Sequence, residues 1–121
     1  MATAVPTVKP NNELPAPKGA ILHASWNLTT ANADGRGVPV AGFKTFNWQA
    51  VAGTPGGATL ALEGSNDGTN WYPLTKVGGS TAATLTASGG AETNEHPLIV
   101  RPNLSTPGTG AVWTVSLVAT A

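Results

Sequence analysis

The segment that decides the fold is LALEGSNDGTNWYPL, residues 60–74. Its first half alternates apolar side chains with side chains of the opposite face, which is the period of a β-strand. The chain then meets Asn66, Asp67 and Gly68. Asn and Asp tolerate left-handed backbone, and Gly adopts positive φ without steric cost. A second strand begins at Trp71, so the segment predicts a β-hairpin whose turn is formed by Asn66, Asp67 and Gly68.

The same two-residue period appears along the rest of the chain. Fifteen glycines and ten prolines fall mostly between short apolar runs and mark turns, and no longer window keeps helical spacing. The runs predict strands at 21–28, 38–40, 44–51, 58–63, 71–77, 81–86, 98–101 and 112–119. We therefore predict an all-β domain, an antiparallel β-sandwich of jelly-roll type with about eight short strands. A small barrel is the alternative.

Large aromatic side chains are predicted to fill the space between the two sheets. Burying one of them removes about 150–250 Å² from water, which is worth about 4–6 kcal/mol as an upper bound. A chain in which only 10% of the residues are charged depends on such anchors. We expect a core built around Trp26, Phe46, Trp48, Trp71 and Trp113.

Residues 1–19 are predicted to be an extended Pro-rich N-terminal arm, separate from a β-sandwich domain at 20–121. Each proline lacks an N–H donor and pushes the preceding residue towards extended backbone. In polyproline geometry, roughly 19 residues span about 60 Å, which is enough to cross a neighbouring subunit. The alternative is a frayed terminus without contacts. The residues predicted to contact a partner are Pro6, Pro10, Pro15 and Pro17.

The charge balance favours association. Six Lys and Arg residues balance six Asp and Glu residues, so identical copies repel each other little. The basic residues are scattered singly, which disfavours nucleic acid as a partner. The absence of cysteine excludes disulfides and thiolate metal sites. No apolar stretch approaches the ~20 residues of a membrane span, and the N-terminus lacks a secretory signal pattern, so we expect no export and no membrane partner.

The hairpin itself offers two alternative sites. Asn66, Asp67 and Asn70 present oxygen ligands for calcium, but the acidic positions and terminal Glu of an EF-hand are missing, so we prefer a plain turn. Trp71 and Tyr72 offer a stacking platform for a sugar, with a role of Trp71 in the core as the alternative.

Other polar residues offer little for catalysis. His23 and Ser25 lie on one face of a strand, but a hydrolase also needs an orienting carboxylate and an oxyanion hole. His96 lies in a polar loop with two acids, where a solvated loop is the preferred interpretation over a metal site. We therefore predict no enzyme and no cofactor. Arg101 is expected to form an ion pair with Glu63 or to bond backbone carbonyls, with a solvated strand-end arginine as the alternative.

Three motifs carry a resemblance to a known family. A strand leading into EGSNDGTNW at 63–71, then RPNLS at 101–105 and the TGAV strand start at 109–112, resemble small β-sandwich virion proteins of tailed bacteriophages. The resemblance covers roughly residues 58–118. SNDG hairpins also occur in unrelated sandwich modules, including carbohydrate-binding ones.

The resemblance implies a capsid decoration, or cement, protein that stabilises the phage head by bridging capsid subunits. It further implies synthesis in the host cytoplasm, a place on the capsid surface of the virion, and contacts with the major capsid protein and with copies of itself, as a homotrimer. No catalytic residues come with it. The alternative is a carbohydrate- or receptor-binding β-sandwich module of a tail or head fibre.

Overall fold

A computed structural model of the chain describes residues 3–9 and 21–121. These residues form twelve strands and no helix, which confirms the predicted all-β class. No helix in the described part of the chain is therefore long and apolar enough to cross a membrane. The strands are β1 (Thr3–Ala4), β2 (Thr7–Lys9), β3 (Ile21–Thr29), β4 (Asp34–Gly35), β5 (Val38–Pro39), β6 (Thr45–Thr54), β7 (Thr59–Ser65), β8 (Tyr72–Pro73), β9 (Thr84–Leu85), β10 (Gly89–Thr93), β11 (Ile99–Thr106) and β12 (Val112–Thr120).

The strands form two sheets. Sheet A has the order β1-β4-β11-β7-β8, with β5 also paired to β11 and β9 to β7. Sheet B has the order β10-β6-β12-β3-β2. Every pairing of these strands is antiparallel except that of β1 with β4. The apolar faces of both sheets contribute to one buried cluster, which is the sandwich-like arrangement that the sequence predicts.

Strand β12 shows how the sequence builds sheet B. Trp113, Val115, Leu117 and Ala119 are fully buried, whereas the residues between them face outward. β12 lies between β3 and β6 and pairs with both along its length. Because a one-residue slip would turn all four apolar side chains outward, their burial fixes the register.

Four of the five aromatic residues predicted for the core are buried between the sheets. Trp26, Phe46, Trp48 and Trp113 are each at most 1% exposed, and the rings of Trp26 and Trp48 stack with centroids 5.9 Å apart. Trp71 differs from the prediction, because it is only partly buried and lies outside the core cluster. It lies just before the two-residue strand β8, and the guanidinium of an outward-facing arginine covers its ring.

The N–H group of each buried indole has an acceptor. An unpaired N–H in this position would cost about 1–3 kcal/mol, so these bonds let tryptophan occupy a core of otherwise apolar side chains. Trp26 donates to Arg36 O at 2.9 Å, Trp48 to Thr93 Oγ1 at 3.1 Å and Trp113 to Pro55 O at 3.2 Å.

The prediction of about eight strands is wrong in number, because local patterning alone identifies strands poorly when they are short or glycine-rich. The strands it misses are β1, β2, β4 and β10. β4 falls inside the predicted turn at 33–37, and β10 begins with two glycines and has no apolar alternation. β10 nevertheless pairs with β6 over five residues, from Gly89↔Ala50 to Thr93↔Phe46. Its strand conformation comes from this distant pairing.

The loops at one end of the sandwich are joined to each other. Thr109 N–H donates to Gly56 O at 2.9 Å, which links the β11–β12 loop to the β6–β7 loop. Thr30 Oγ1, which follows β3, donates to Pro107 O and accepts from Ala111 N–H, both at 3.0 Å. These bonds hold the ends of β3, β6 and β12 together.

Candidate functional site

The first described segment of the chain, residues 3–9, pairs with both sheets. β1 runs parallel to β4, with Thr3 opposite Asp34, and Arg36 N–H donates to Ala4 O at 2.7 Å. β2 runs antiparallel to β3, with Thr7 opposite Ser25. The segment thus crosses from the edge of sheet A to the edge of sheet B.

This segment is held mainly by backbone hydrogen bonds. Ala4 is 8% exposed, whereas Val5 is 66% and Val8 44% exposed. Pro6 lies between the two short strands and is partly buried. The other three prolines predicted to contact a partner, at positions 10, 15 and 17, lie outside the described residues. The predicted contact of the arm with a neighbouring subunit stays a prediction, and residues 3–9 lie on the chain's own domain.

An ionic cluster lies on the outer side of sheet A, next to the first strand. Arg101 Nε donates to Glu63 Oε1 at 3.0 Å, and Arg101 Nη1 lies 3.8 Å from Asp34 Oδ2. Arg101 and Glu63 are direct cross-strand neighbours on β11 and β7. Of the alternatives considered for Arg101, this geometry is that of the ion pair with Glu63. Thr3 Oγ1 also donates to Asp34 Oδ2, at 3.4 Å, which connects the cluster to β1.

Trp71 belongs to the same cluster. The guanidinium carbon of Arg101 lies 4.1 Å from the centroid of its ring, a cation–π contact. A Cβ built on Gly37 would come within 2.8 Å of Trp71 Cη2, so the backbone at Gly37 lies directly against the edge of the ring. A sugar platform needs an open aromatic face, and one face of Trp71 is covered by arginine.

The turn of the hairpin is organised around the carboxylate of Asp67. Asp67 Oδ1 accepts from Ser65 Oγ at 3.0 Å, from Thr69 N–H at 2.8 Å and from Asn70 N–H at 2.7 Å, and Oδ2 accepts from Asn70 Nδ2 at 2.8 Å. Ser65 Oγ in turn accepts from Gly68 N–H at 2.8 Å. The turn bonds formed by this carboxylate are those of a structural loop, and they compete with a role as a calcium ligand.

Two further details differ from the expected turn chemistry. Gly68 has a φ of 77°, but no non-glycine residue in the described part of the chain has positive φ, so Asn66 and Asp67 do not use left-handed backbone. Asn66 instead reaches across the fold, where its Oδ1 accepts from Leu98 N–H at 3.1 Å. The hairpin turn is thereby fixed to the strand that leads into Arg101.

We predict that Asp67 titrates far below an ordinary aspartate. Hydrogen bonds from Asn70 above all, then from Thr69 and Ser65, hold the pKa of Asp67 well below its ordinary value, because they stabilise the charged form. The turn bonds should persist through mild acid and be lost only as the pH falls through this lowered pKa. A carbon-detected NMR titration of the carboxyl group measures this directly.

The variant Asn70→Ala should raise the pKa of Asp67, since it removes the side-chain donor. Thr69→Ala is the matched control, because Thr69 donates through its backbone N–H, which alanine keeps. An unchanged pKa in Asn70→Ala, or an ordinary pKa in the unaltered protein, would contradict this account of the turn.

The polar residues considered for catalysis or metal binding have other contacts. His96 Nε2 lies 2.7 Å from Lys44 O, and Glu95 binds the N–H and hydroxyl of Thr75 at 2.8 and 2.5 Å. Across residues 3–9 and 21–121, no group of three His, Asp or Glu side chains is placed to hold a metal ion. His23 Nδ1 has no hydrogen-bond partner, so no carboxylate of the described residues orients it towards Ser25.

The outer face of sheet B is a feature that sequence reasoning missed. Strands β3, β6 and β12 each present five alternate residues outward, and none of these fifteen is Lys, Arg, Asp or Glu. We call this surface the uncharged face; its most exposed members are Asn27, Asn47, Gln49, Val51, Thr114 and Val118. The signal was present in the alternation of polar, uncharged residues along the three strands.

No model of a known protein family matches the chain, and no curated protein matches it in sequence.

Proposed function

We propose that the chain is a virion structural protein of a tailed bacteriophage. In this proposal it is a capsid decoration protein that binds the outside of the head and stabilises it by bridging capsid subunits. The observation that carries the proposal is the docking of residues 3–9, which adds one strand to each sheet. A segment that binds in this way can bind an equivalent edge on a neighbouring molecule.

The contacts of the segment suit such an exchange. Strand addition uses main-chain hydrogen bonds for affinity, so it needs few side-chain pockets. Only Ala4 of this segment is buried, while Val5 and Val8 are largely exposed. Exchange of an identical element between copies replaces each lost contact by the same contact, so its cost is small. Many copies on one particle then multiply the effect of a weak individual bond.

The strand pairings also support a jelly-roll topology. Taking β4 with β5 as one element and β8 with β9 as another, eight elements follow β2. The first pairs with the eighth (β3–β12) and the second with the seventh (β4 and β5 with β11). The third pairs with the sixth (β6–β10) and the fourth with the fifth (β7 with β8 and β9). These are the pairings of one long hairpin folded over itself, as in the jelly rolls of viral capsid proteins.

The partners follow from this role. They are the major capsid protein and further copies of the chain, assembled as a homotrimer on the virion surface after synthesis in the host cytoplasm. The low charge supports it, since only 10% of residues are charged and the formal net charge is zero. The motifs EGSNDGTNW, RPNLS and TGAV add the resemblance to small phage virion proteins.

A carbohydrate- or receptor-binding module was the alternative. It depends on an aromatic face open to a ligand, yet three of the four tryptophans are buried in the core and Arg101 covers one face of Trp71. We therefore favour the structural role.

Deletion of residues 1–19 tests the proposal. The sandwich should stay folded, because Ala4 is the one residue of 3–9 that is buried. Affinity for phage heads that lack the protein should fall tenfold or more, a loss of about 1.4 kcal/mol or more. Co-sedimentation with purified heads measures the affinity, and circular dichroism checks the fold.

The matched control is Val5→Ser, which changes an exposed side chain of the arm and keeps its backbone pairing. It should bind heads like the unaltered protein. Unchanged binding after the deletion would refute the arm mechanism, and a failure of the full chain to bind heads at all would refute the decoration role.

A further inference from the structure

We propose that the uncharged face of sheet B is the surface through which copies of this chain associate with each other. The inference rests on the proposed function in one respect, namely that self-association is part of that proposal. It adds the surface and its chemistry. Three independent features of the face carry it: its lack of charge, its hydrogen-bonding groups and its area.

The first feature is the distribution of charge. An ordinary protein surface is about 25–35% charged, so roughly four or five charged residues are expected among fifteen outward positions. The three central strands of sheet B have none, whereas the outer side of sheet A carries Arg101, Glu63 and Asp34. The charges of the described strands are thus concentrated away from the uncharged face. Charged residues are depleted at the centre of protein interfaces in the same way.

The second feature is self-complementary hydrogen bonding. Asn27, Asn47 and Gln49 carry amides and Thr114 carries a hydroxyl. Amides and hydroxyls both donate and accept, so two identical faces can satisfy one another. A face of lysines, or one of glutamates, would instead repel its own copy. This property favours a second copy of the chain over a charged partner such as nucleic acid.

Apolar side chains complete the surface. Val51, Val112 and Val118 are 52%, 51% and 39% exposed, and all three lie on this face. They make up three of the seven large hydrophobic residues that are exposed in the described part of the chain. Val51 is the direct cross-strand neighbour of Thr114, so apolar and hydrogen-bonding groups alternate at the centre of the face.

The third feature is area. Five strands spaced at ~4.8 Å and about nine residues long at ~3.4 Å each cover roughly 700 Å². A stable protein–protein interface buries about 800 Å² on each partner. The face is therefore large enough for a specific contact with a second copy, and sheets stack readily at about 10 Å separation.

Sedimentation velocity of the full chain and of three arginine variants tests the inference. Thr114→Arg and Gln49→Arg place a charge at the centre of the face on two different strands. In an assembly of identical faces these charges meet one another, which costs several kcal/mol, so association should weaken more than tenfold. Thr84→Arg is the matched control, because Thr84 is an exposed strand residue on sheet A. Near-UV circular dichroism verifies that each variant is folded.

The expected result is an oligomer for the unaltered chain and for Thr84→Arg, and monomers for the other two variants. A monomeric unaltered chain, or an oligomer that survives Thr114→Arg and Gln49→Arg, would overturn the inference. If the unaltered chain is monomeric and Thr114→Arg abolishes binding to heads, the face binds the capsid and the inference is wrong, while the decoration role stands. If the oligomer behaves as expected but never binds heads, the inference stands and the decoration role fails.

Discussion

Replacing Trp26 by alanine is expected to cost about 3–5 kcal/mol of folding free energy, the range for large-to-small changes of a buried aromatic residue. Trp26 is 1% exposed and stacks on Trp48 at 5.9 Å. Its indole N–H bonds Arg36 O at 2.9 Å, so the variant also leaves this carbonyl without its partner. A domain is stable by only about 5–15 kcal/mol. The variant should therefore be close to unfolding at body temperature.

The midpoint of thermal unfolding should fall by roughly 12–20 °C, at about 4 °C for each kcal/mol in a domain of this size. Urea unfolding followed by far-UV circular dichroism measures the free energy. Trp71→Ala is the matched control: the same residue type is removed from a partly buried position under Arg101. Its cost should be about 1–2 kcal/mol, from a cation–π contact and partial burial. Equal costs for the two variants would contradict the division between core and surface tryptophans.

The sequence predicts the interior of this fold well, because burial imposes a local period. On β12, Trp113, Val115 and Leu117 alternate with polar residues, and the structure buries them all. The same reasoning fails for Trp71. A tryptophan beside a strand is usually core, but here an arginine from β11 covers it, and only the tertiary fold brings the two together.

The ionic cluster shows the same limit. The sequence suggests Arg101 and Glu63 as partners because charges are scarce, and β11 and β7 place them opposite each other. Asp34 could not be found in this way, since it lies in a segment whose composition predicts a turn. Its strand exists because Thr3 and Asn103 lie opposite it on the neighbouring strands. Pairings across such distances depend on the complete sheet, and single-residue propensities do not encode them.

The Gly108→Ala variant should be destabilised by roughly 2–5 kcal/mol, because alanine meets both a steric and a conformational obstacle there. Gly108 has a φ of 67°, in the left-handed region. A Cβ at this position would overlap Gly56 O and lie 2.9 Å from Ala58 N. Both are backbone atoms of the β6–β7 loop, so they cannot rotate away as a flexible side chain would. The bond from Thr109 N–H to Gly56 O should then be lost.

Gly110→Ala separates the two causes. Gly110 has nearly the same φ, 62°, but a Cβ there has no atom within 4 Å. Its substitution should cost only about 1–2 kcal/mol, the price of left-handed backbone alone. Urea unfolding of both variants measures the difference. If Gly108→Ala is no more costly than Gly110→Ala, the two loops are not packed backbone against backbone. If it is much more costly, the close approach of Gly108 to Gly56 holds this end of the two sheets together.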